Sequence, residues 1–394
     1  MNTNVRIRNG ILVLPHETVR GSIVIESGKI AAVDTASAPD KFRSASADAV
    51  EIDAEGMYVF PGFVDIHGDA IEKEVQPRPN SLFPLDSALY EMEKKLAACG
   101  ITTMYHSLSL GVGLSIRGVE LVTRMLDLIR RYRCERTMIR HRTHLRYEVL
   151  YAELIETAES LIESGTVDYF SYMLHAPGVG QYKREGSFVA YVMKNQGVNR
   201  EEATAIADDV VRMSQAIDWA RIERLCEAAR AKGVAVASHD DDSIELVDRT
   251  ARFGASVVEF PLNLETAAYA ASRKLHVCVG APNIVRGGSH DANLRAIDAV
   301  LADAADIVCS DYYPPSMLLA VFRLADAGIP LHRAAAMASL HPARAVGIDR
   351  DFGSIEVGKF ADLLLVEDRN GYPNLRKTIV GGVPVYESGF IRDV

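Results

Sequence analysis

The chain has 394 residues, 48% of them hydrophobic and 24% charged, with a net charge of -10 at pH 7. That is the balance of an ordinary globular protein, and the acidic total argues against nucleic-acid or membrane-surface partners, which need a cationic face. No apolar run is long enough for a membrane span, no leader-like apolar core opens the chain, and the five cysteines are widely spaced without a Cys-x-x-Cys, so the chain reads as a cytoplasmic protein with small buried thiols.

Residues 1–60 read as short strands: Val5–Arg8, Ile11–Leu14, Ser22–Glu26 and Lys29–Val33, with turn signals at Asn9-Gly10 and Ser27-Gly28. The far end has the same texture, in Ala361–Val366, Thr378–Val380 and, after Gly381-Gly382, Val383–Tyr386. Two strand-rich ends predict one small β-domain built from residues 1–60 and 351–394 around a middle domain, 61–350. The middle alternates apolar strands with helical stretches. Its eight candidate strands are Gly62–His67, Ile101–Ser107, Met138–Glu148, Val167–His175, Val234–His239, Ser256–Phe260, His276–Gly280 and Asp306–Asp311. Residues 212–232 predict one helix carrying Ile217, Ala220, Ile222, Leu225 and Ala229, with Gly233 as its C-terminal cap. Eight βα units close into a (β/α)8 TIM-type barrel. A doubly wound open sheet competes, but no Gly-x-Gly-x-x-Gly follows an early strand.

Barrel chemistry sits at the C-terminal strand ends. Here those ends carry His67-Gly68-Asp69, Glu148, His175, His239 and Asp311. Imidazole with carboxylate suits zinc or manganese, and strand residues i and i+2 share a face, which pairs His67 with Asp69. A divalent ion makes its bound water a nucleophile near neutral pH, and a carboxylate such as Asp311 can serve as general base. Singly, each residue has a plainer reading. A lone strand-end histidine, such as His276 or His341, is more often structural, and Asp240-Asp241-Asp242 reads as a solvated or capping run. The coincidence of ligand types at five strand ends favours a metal site, of one or two ions. Arg78, Arg146 and Arg286 stand beside the ligand motifs, and Arg286-Gly287-Gly288-Ser289-His290 offers a guanidinium with backbone N–H donors, so a phosphorylated small molecule is the expected partner.

Pro61-Gly62-Phe63-Val64-Asp65-Ile66-His67 and Gly353–Leu363 resemble the amidohydrolase superfamily. The resemblance implies a β-sandwich formed from both termini beside the barrel, and usually His-x-His on the first strand, where this chain has Asp69 in third place. That departure, with Glu72-Lys73, Pro77-Arg78-Pro79, His141–Arg146, Ala237–Asp241, Gly280–His290 and Ser310–Pro314, is similar to the phosphonate-pathway diphosphatase branch. It implies hydrolysis of α-D-ribose 1-methylphosphonate 5-triphosphate to the 5-phosphate and pyrophosphate. It also implies a metal set of His67, Asp69, Glu148, His175, His239 and Asp311, with Lys73, Arg78, His144, Arg146, Arg286 and His290 on the substrate. This chain departs from the branch at Ala70, Leu174 and Gly180. A hydrolase or deaminase acting on a C–N bond is the alternative. A non-catalytic subunit is disfavoured because each expected ligand position holds a competent residue. A homo-oligomer is compatible with the barrel.

Overall fold

A computed structural model describes residues 4–35, 50–111, 117–289 and 293–391. Five strands open the chain: β1 (Val5–Val13), β2 (Thr18–Glu26), β3 (Lys29–Thr35), β4 (Val50–Asp53) and β5 (Tyr58–Pro61). Eight follow with helices between them: β6 (Phe63–Gly68), β7 (Ile101–Leu110), β8 (Arg140–Glu148), β9 (Tyr169–Met173), β10 (Ala235–His239), β11 (Val257–Glu259), β12 (His276–Gly280) and β13 (Ile307–Cys309). Three end it: β14 (Leu363–Arg369), β15 (Tyr372–Val380) and β16 (Val383–Glu387).

The terminal strands form one sheet in the order β16-β15-β14-β5-β1-β2-β3, with β4 also paired to β1. Antiparallel pairing of β5 with β14 joins the two ends of the chain. Alternation places Val5, Ile7, Leu12, Ile23 and Ile25 in one core with Leu363, Leu365 and Ile379. Ser27 and Gly28 take positive φ values of 51° and 79°, so the second expected turn forms; at Asn9, φ 58°, and Gly10 no turn separates two strands, because β1 runs unbroken from Val5 to Val13 with a register shift against β2 between Ile7 and Gly10.

Strands β6 to β13 make an eight-stranded sheet in chain order, and a parallel bridge between Gly68 and Asp311 joins the first strand to the last. The fold is a (β/α)8 barrel with a β-sandwich from both termini. Strands of such a barrel are covered on both faces, and accordingly all ten residues of β7 are buried.

The chain divides into two compact units: Met1–His106 with Arg131–Arg142 and Ile307–Val394, and Ser107–Arg130 with Thr143–Asp306. The first holds the terminal sheet, β6 and β13; the second holds β9 to β12.

Further expectations needed correction. The helix predicted over 212–232 is two helices, Arg200–Gln215 and Trp219–Ala231. The Asp218 side chain accepts from the Arg221 N–H and starts the second, which interrupts the apolar face. Gly233 ends it as expected, at φ 75°. Several strands stop earlier than their apolar runs because Phe260 and Asp311 turn out of the extended region, at φ 53° and 54°. All five cysteines are free, but Cys134 is exposed rather than buried.

Gly62, just before β6, lies against β7: a Cβ there would be 2.3 Å from Thr102 Oγ1 and 2.5 Å from its Cγ2. Gly62→Ala should therefore separate the strands and destabilise the protein by about 1–3 kcal/mol, measurable as a lower midpoint in thermal unfolding.

Candidate metal centre

In the first unit, β6 is wholly buried and His67 is 1% exposed. The fully buried Asp65 carboxylate underlies it, accepting from the His67 N–H at 3.3 Å and the Ser310 N–H at 3.1 Å. Burial pushes the Asp65 carboxyl up to about 6, against the pull of these Ser310 and His67 hydrogen bonds. Beyond the strand, Asp69 N–H donates to Asp311 O at 2.9 Å and Asp311 N–H donates to His67 O at 3.0 Å. His67, Asp69 and Asp311 are thus neighbours along the backbone of two paired strands. A residue larger than glycine between His67 and Asp69 would displace its neighbours, since a Cβ on Gly68 would stand 2.5 Å from Met104 Cε and 2.6 Å from Ser310 Oγ. Lys73 follows on the helix Ile71–Val75, with Nζ 5.2 Å from the Tyr312 ring centroid. Arg78 is exposed, in a bridge with Ser81.

A separate buried chain runs from β7, where His106 pairs in register with Gly68, to the start of β8. His106 Nε2 meets His141 Nδ1 at 2.8 Å, and His141 Nε2 meets Glu93 Oε1 at 3.1 Å. Glu93 also accepts from the Met138 and Ile139 N–H groups, so it caps the entry to β8. Burial, with the His141 and Arg133 charges, holds His106 well below the usual imidazole value.

The second unit carries the denser cluster. His175 follows β9, and His239 ends β10. His175 Nδ1 is 2.6 Å from Glu148 Oε2, and its N–H donates to Glu148 Oε1 at 3.2 Å. His239 Nδ1 is 3.3 Å from Glu259 Oε2. Each glutamate thereby keeps the proton on Nδ1 and turns Nε2 away from itself. The two Nε2 atoms converge on one carboxylate: His175 Nε2 is 3.8 Å from Asp240 Oδ2 and His239 Nε2 is 3.7 Å from Asp240 Oδ1. The ligand atoms of His175, His239 and Asp240 lie within 4.8 Å of one another. Imidazole lone pairs facing a carboxylate, each backed by a hydrogen-bonded glutamate, fit a divalent ion, with Glu148 and Glu259 orienting the rings. Arg146 Nη2 also reaches His239 Nε2, at 3.0 Å.

Glu259, which the strand-end reading passed over, is the hub of this network. It is fully buried and accepts from Tyr169 Oη at 3.0 Å, with His144 Nε2 at 3.8 Å. Burial pushes its carboxyl up, but His144, His239 and Arg146 outweigh that and hold it below the usual carboxylate value. The signal was present: an acid one residue before the end of the sixth candidate strand, Ser256–Phe260. His144 is fully buried between Ser107 Oγ at 3.0 Å and Ser171 Oγ at 2.8 Å.

The run Asp240–Asp242 is not solvated. Asp240 and Asp241 are buried, and burial pushes both carboxyls up to about 6. Asp241 accepts from Ser238 Oγ at 2.6 Å and Thr250 Oγ1 at 3.1 Å. Arg286 is exposed and ends the helix Ala281–Arg286. His290 lies outside the described residues.

The closed barrel and its strand-end imidazoles and carboxylates define the class, a barrel hydrolase with its chemistry at the C-terminal ends of the strands. Residues 190–385 match the model of the amidohydrolase family. The chain is 30% identical, over 93% of its length and 96% of the relative's, to alpha-D-ribose 1-methylphosphonate 5-triphosphate diphosphatase of Escherichia coli (strain K12). The chain belongs to the amidohydrolase family. Among solved structures it is similar in fold to N-acetylglucosamine-6-phosphate deacetylase from Pasteurella multocida, with a TM-score of 0.62 and 14% identity over 97% of this chain and 99% of that one. It is also similar to L-hydantoinase (dihydropyrimidinase) from Arthrobacter aurescens, with a TM-score of 0.63 and 16% identity over 100% and 98%. Such low identities speak for the fold alone.

The raised Asp241 carboxyl has a testable consequence. A folded-state value above the unfolded one means that folding favours the protonated form, so stability is lost as pH rises through about 6. In chelator-treated protein, Asp241→Asn, which removes the buried charge, should melt above the wild type at pH about 8, and the gap should narrow below pH about 6 and close only as pH falls through about 4, the unfolded carboxylate value. Parallel melting curves across that range measure it.

Proposed function

We propose that this chain is a metal-dependent hydrolase that cleaves a phosphoanhydride of a ribose 5-triphosphate phosphonate, α-D-ribose 1-methylphosphonate 5-triphosphate or a close relative, to the 5-phosphate and pyrophosphate. The observation that carries this reading is the 30% identity across 93% of the chain to the Escherichia coli diphosphatase. The barrel deacetylase and hydantoinase support a C–N bond hydrolase only through their shared fold.

In this reading His67, Asp69, Glu148, His175, His239 and Asp311 hold zinc or manganese, as one or two ions, and Asp240 adds a carboxylate beside the two imidazoles. A bound divalent cation supplies an acidified water and cancels phosphate charge. The protein's own groups do the rest. Asp311 takes the proton of the attacking water and passes it to the departing phosphate oxygen. Lys73, Arg78, His144, Arg146, Arg286 and His290 form the substrate-binding set; their cations hold the polyphosphate in line for attack. Glu259 would orient the His239 ring through Nδ1, and Glu148 would orient the His175 ring in addition to its place in the ligand set.

Protein stripped by a chelator and reloaded with zinc or manganese should release pyrophosphate from ribose 5-triphosphate compounds, and the stripped protein should not. If reloaded protein leaves such triphosphates intact yet opens a hydantoin or removes an acetyl group, the phosphoanhydride reading is wrong.

Asp311→Asn should lower kcat by about 10²–10⁴-fold with the melting point nearly unchanged, because asparagine tolerates the left-handed φ of 54°. Near-normal turnover would remove Asp311 from the mechanism.

A further inference from the structure

The segment that follows His175 is bound tightly into place although it is neither strand nor α-helix. Val179 N–H donates to Ala176 O at 3.2 Å, Tyr182 N–H to Val179 O at 3.0 Å, Gly178 N–H to Tyr182 O at 3.0 Å, and Lys183 N–H to Gly180 O at 3.1 Å. On its outer side Tyr182 packs into a small core with Phe188, Val192, Ala203 and Ala207 of the helices Ser187–Gln196 and Arg200–Gln215. On its inner side the Tyr182 ring lies edge-on to His175, with centroids 6.2 Å apart.

Gly180 is where this segment meets the imidazole–carboxylate cluster. Its φ is 57°, and a Cβ there would stand 3.3 Å from the Asp240 carbonyl oxygen. Both the backbone conformation and the space favour glycine, so this position cannot readily present a cation. Its N–H instead donates to Asp242 Oδ2 at 3.1 Å. The Lys183 ammonium is 3.4 Å from that same oxygen. One carboxylate therefore fixes both the backbone of the loop and the position of its lysine.

The two partners differ in burial. The Asp242 side chain is 10% exposed and that of Lys183 is 63% exposed. An ammonium has three donors, and Asp242 engages one side of it. The remaining donors face water beside Asp242, which stands two residues along the chain from Asp240, on which His175 and His239 converge. Carboxylates crowd this cluster, namely Glu148, Asp240, Asp241, Asp242 and Glu259, and an anionic substrate approaching it needs cations at the rim. Arg146 is 6% exposed and engaged with His239 Nε2, whereas Lys183 is accessible. Exposed charges are screened beyond about 8 Å at physiological salt, so Lys183 acts on what touches it rather than by long-range steering.

We propose that Lys183 is a specificity-determining residue that grips the terminal phosphoryl groups of the substrate's polyphosphate, with Asp242 holding the ammonium at the rim beside Asp240. The proposal deepens the phosphoanhydride reading and rests on it for the identity of the ligand. A compact ammonium on a flexible stem can follow a phosphate between substrate and product states, which a planar guanidinium held bidentately does less readily.

The test compares wild type, Lys183→Gln and Lys183→Arg, each loaded with zinc or manganese. An exposed ion pair contributes little to stability, so all three should melt alike. With a ribose 5-triphosphate compound, Lys183→Gln should raise KM about tenfold with kcat within about twofold. Lys183→Arg should restore most of the loss, and the wild-type advantage should shrink in high salt. An unchanged KM in Lys183→Gln overturns the proposal. Calorimetric binding of inorganic tripolyphosphate to the metal-loaded proteins separates the two readings. If the wild type hydrolyses no triphosphate yet binds tripolyphosphate, and Lys183→Gln loses that binding, the role of Lys183 stands while the reaction assigned above falls. Equal binding by both, or none by the wild type, overturns the role of Lys183 itself.

Discussion

Two backbone hydrogen bonds between the first and last barrel strands organise the first unit: Asp69 N–H to Asp311 O and Asp311 N–H to His67 O. They set the register in which β6 meets β13, and they bring His67, Asp69 and Asp311 to one end of the strands. They require Asp311 at φ 54°, a conformation that disfavours an L-residue by roughly 1–2 kcal/mol. The same device recurs in the second unit. Asp240, at φ 59°, donates its N–H to Glu259 O, and Phe260, at φ 53°, donates to Cys278 O, each at 2.9 Å. Glycine would adopt these turns without strain. A side chain is kept at each because it is used: Asp240 faces two imidazoles, Asp311 is a strand-end carboxylate, and the Phe260 ring packs 5.3 Å from that of His239.

Around those turns the second unit solves an electrostatic problem. Five carboxylates gather where water is scarce, and each has its own compensation. Glu148 and Glu259 are matched to imidazole N–H groups, Asp241 to two hydroxyls and Asp242 to a lysine, while Asp240 faces the two Nε2 lone pairs. Glu259 ends with its carboxyl held down, whereas Asp240 and Asp241 are pushed up to about 6. Asp240 is the carboxylate that a cation would relieve most directly, because two imidazole Nε2 atoms converge on it and its burial outweighs the His175 and Arg146 charges that favour its ionised form. The amidohydrolase family, the donor chemistry and this unrelieved carboxylate all point the same way.

Much of the plan was legible because strands and motifs are local. His67, His175, His239 and Asp311 each end or follow an apolar run of strand length, so their placement at strand ends follows from period-2 patterning. The eight strands were found for the same reason, with errors of a few residues where a left-handed turn cuts a run short. Asp218 was read through because the apolar residues on both sides of it keep helical spacing, and a cap competes weakly with that pattern in one dimension. Asp240–Asp242 was misread because three consecutive acids in a sequence look solvated. The hydroxyls of Ser238 and of Thr250, the latter nine residues on in the next helix, help make the burial of Asp241 tolerable.

The sequence by itself determined the alternation of strands and helices, the pairing of the two ends into one domain, and the residue types at the strand ends, since these are set by side-chain periodicity and turn chemistry over a few residues. The tertiary structure alone decided which carboxylate serves which imidazole, that Glu259 is a hub, and that Asp242 gathers both the Gly180 N–H and the Lys183 ammonium. Those relations join residues far apart in the chain, 90 positions in the case of Tyr169 and Glu259. Hydrogen bonds at such separations depend on strand register and the closure of the barrel, which no local pattern encodes.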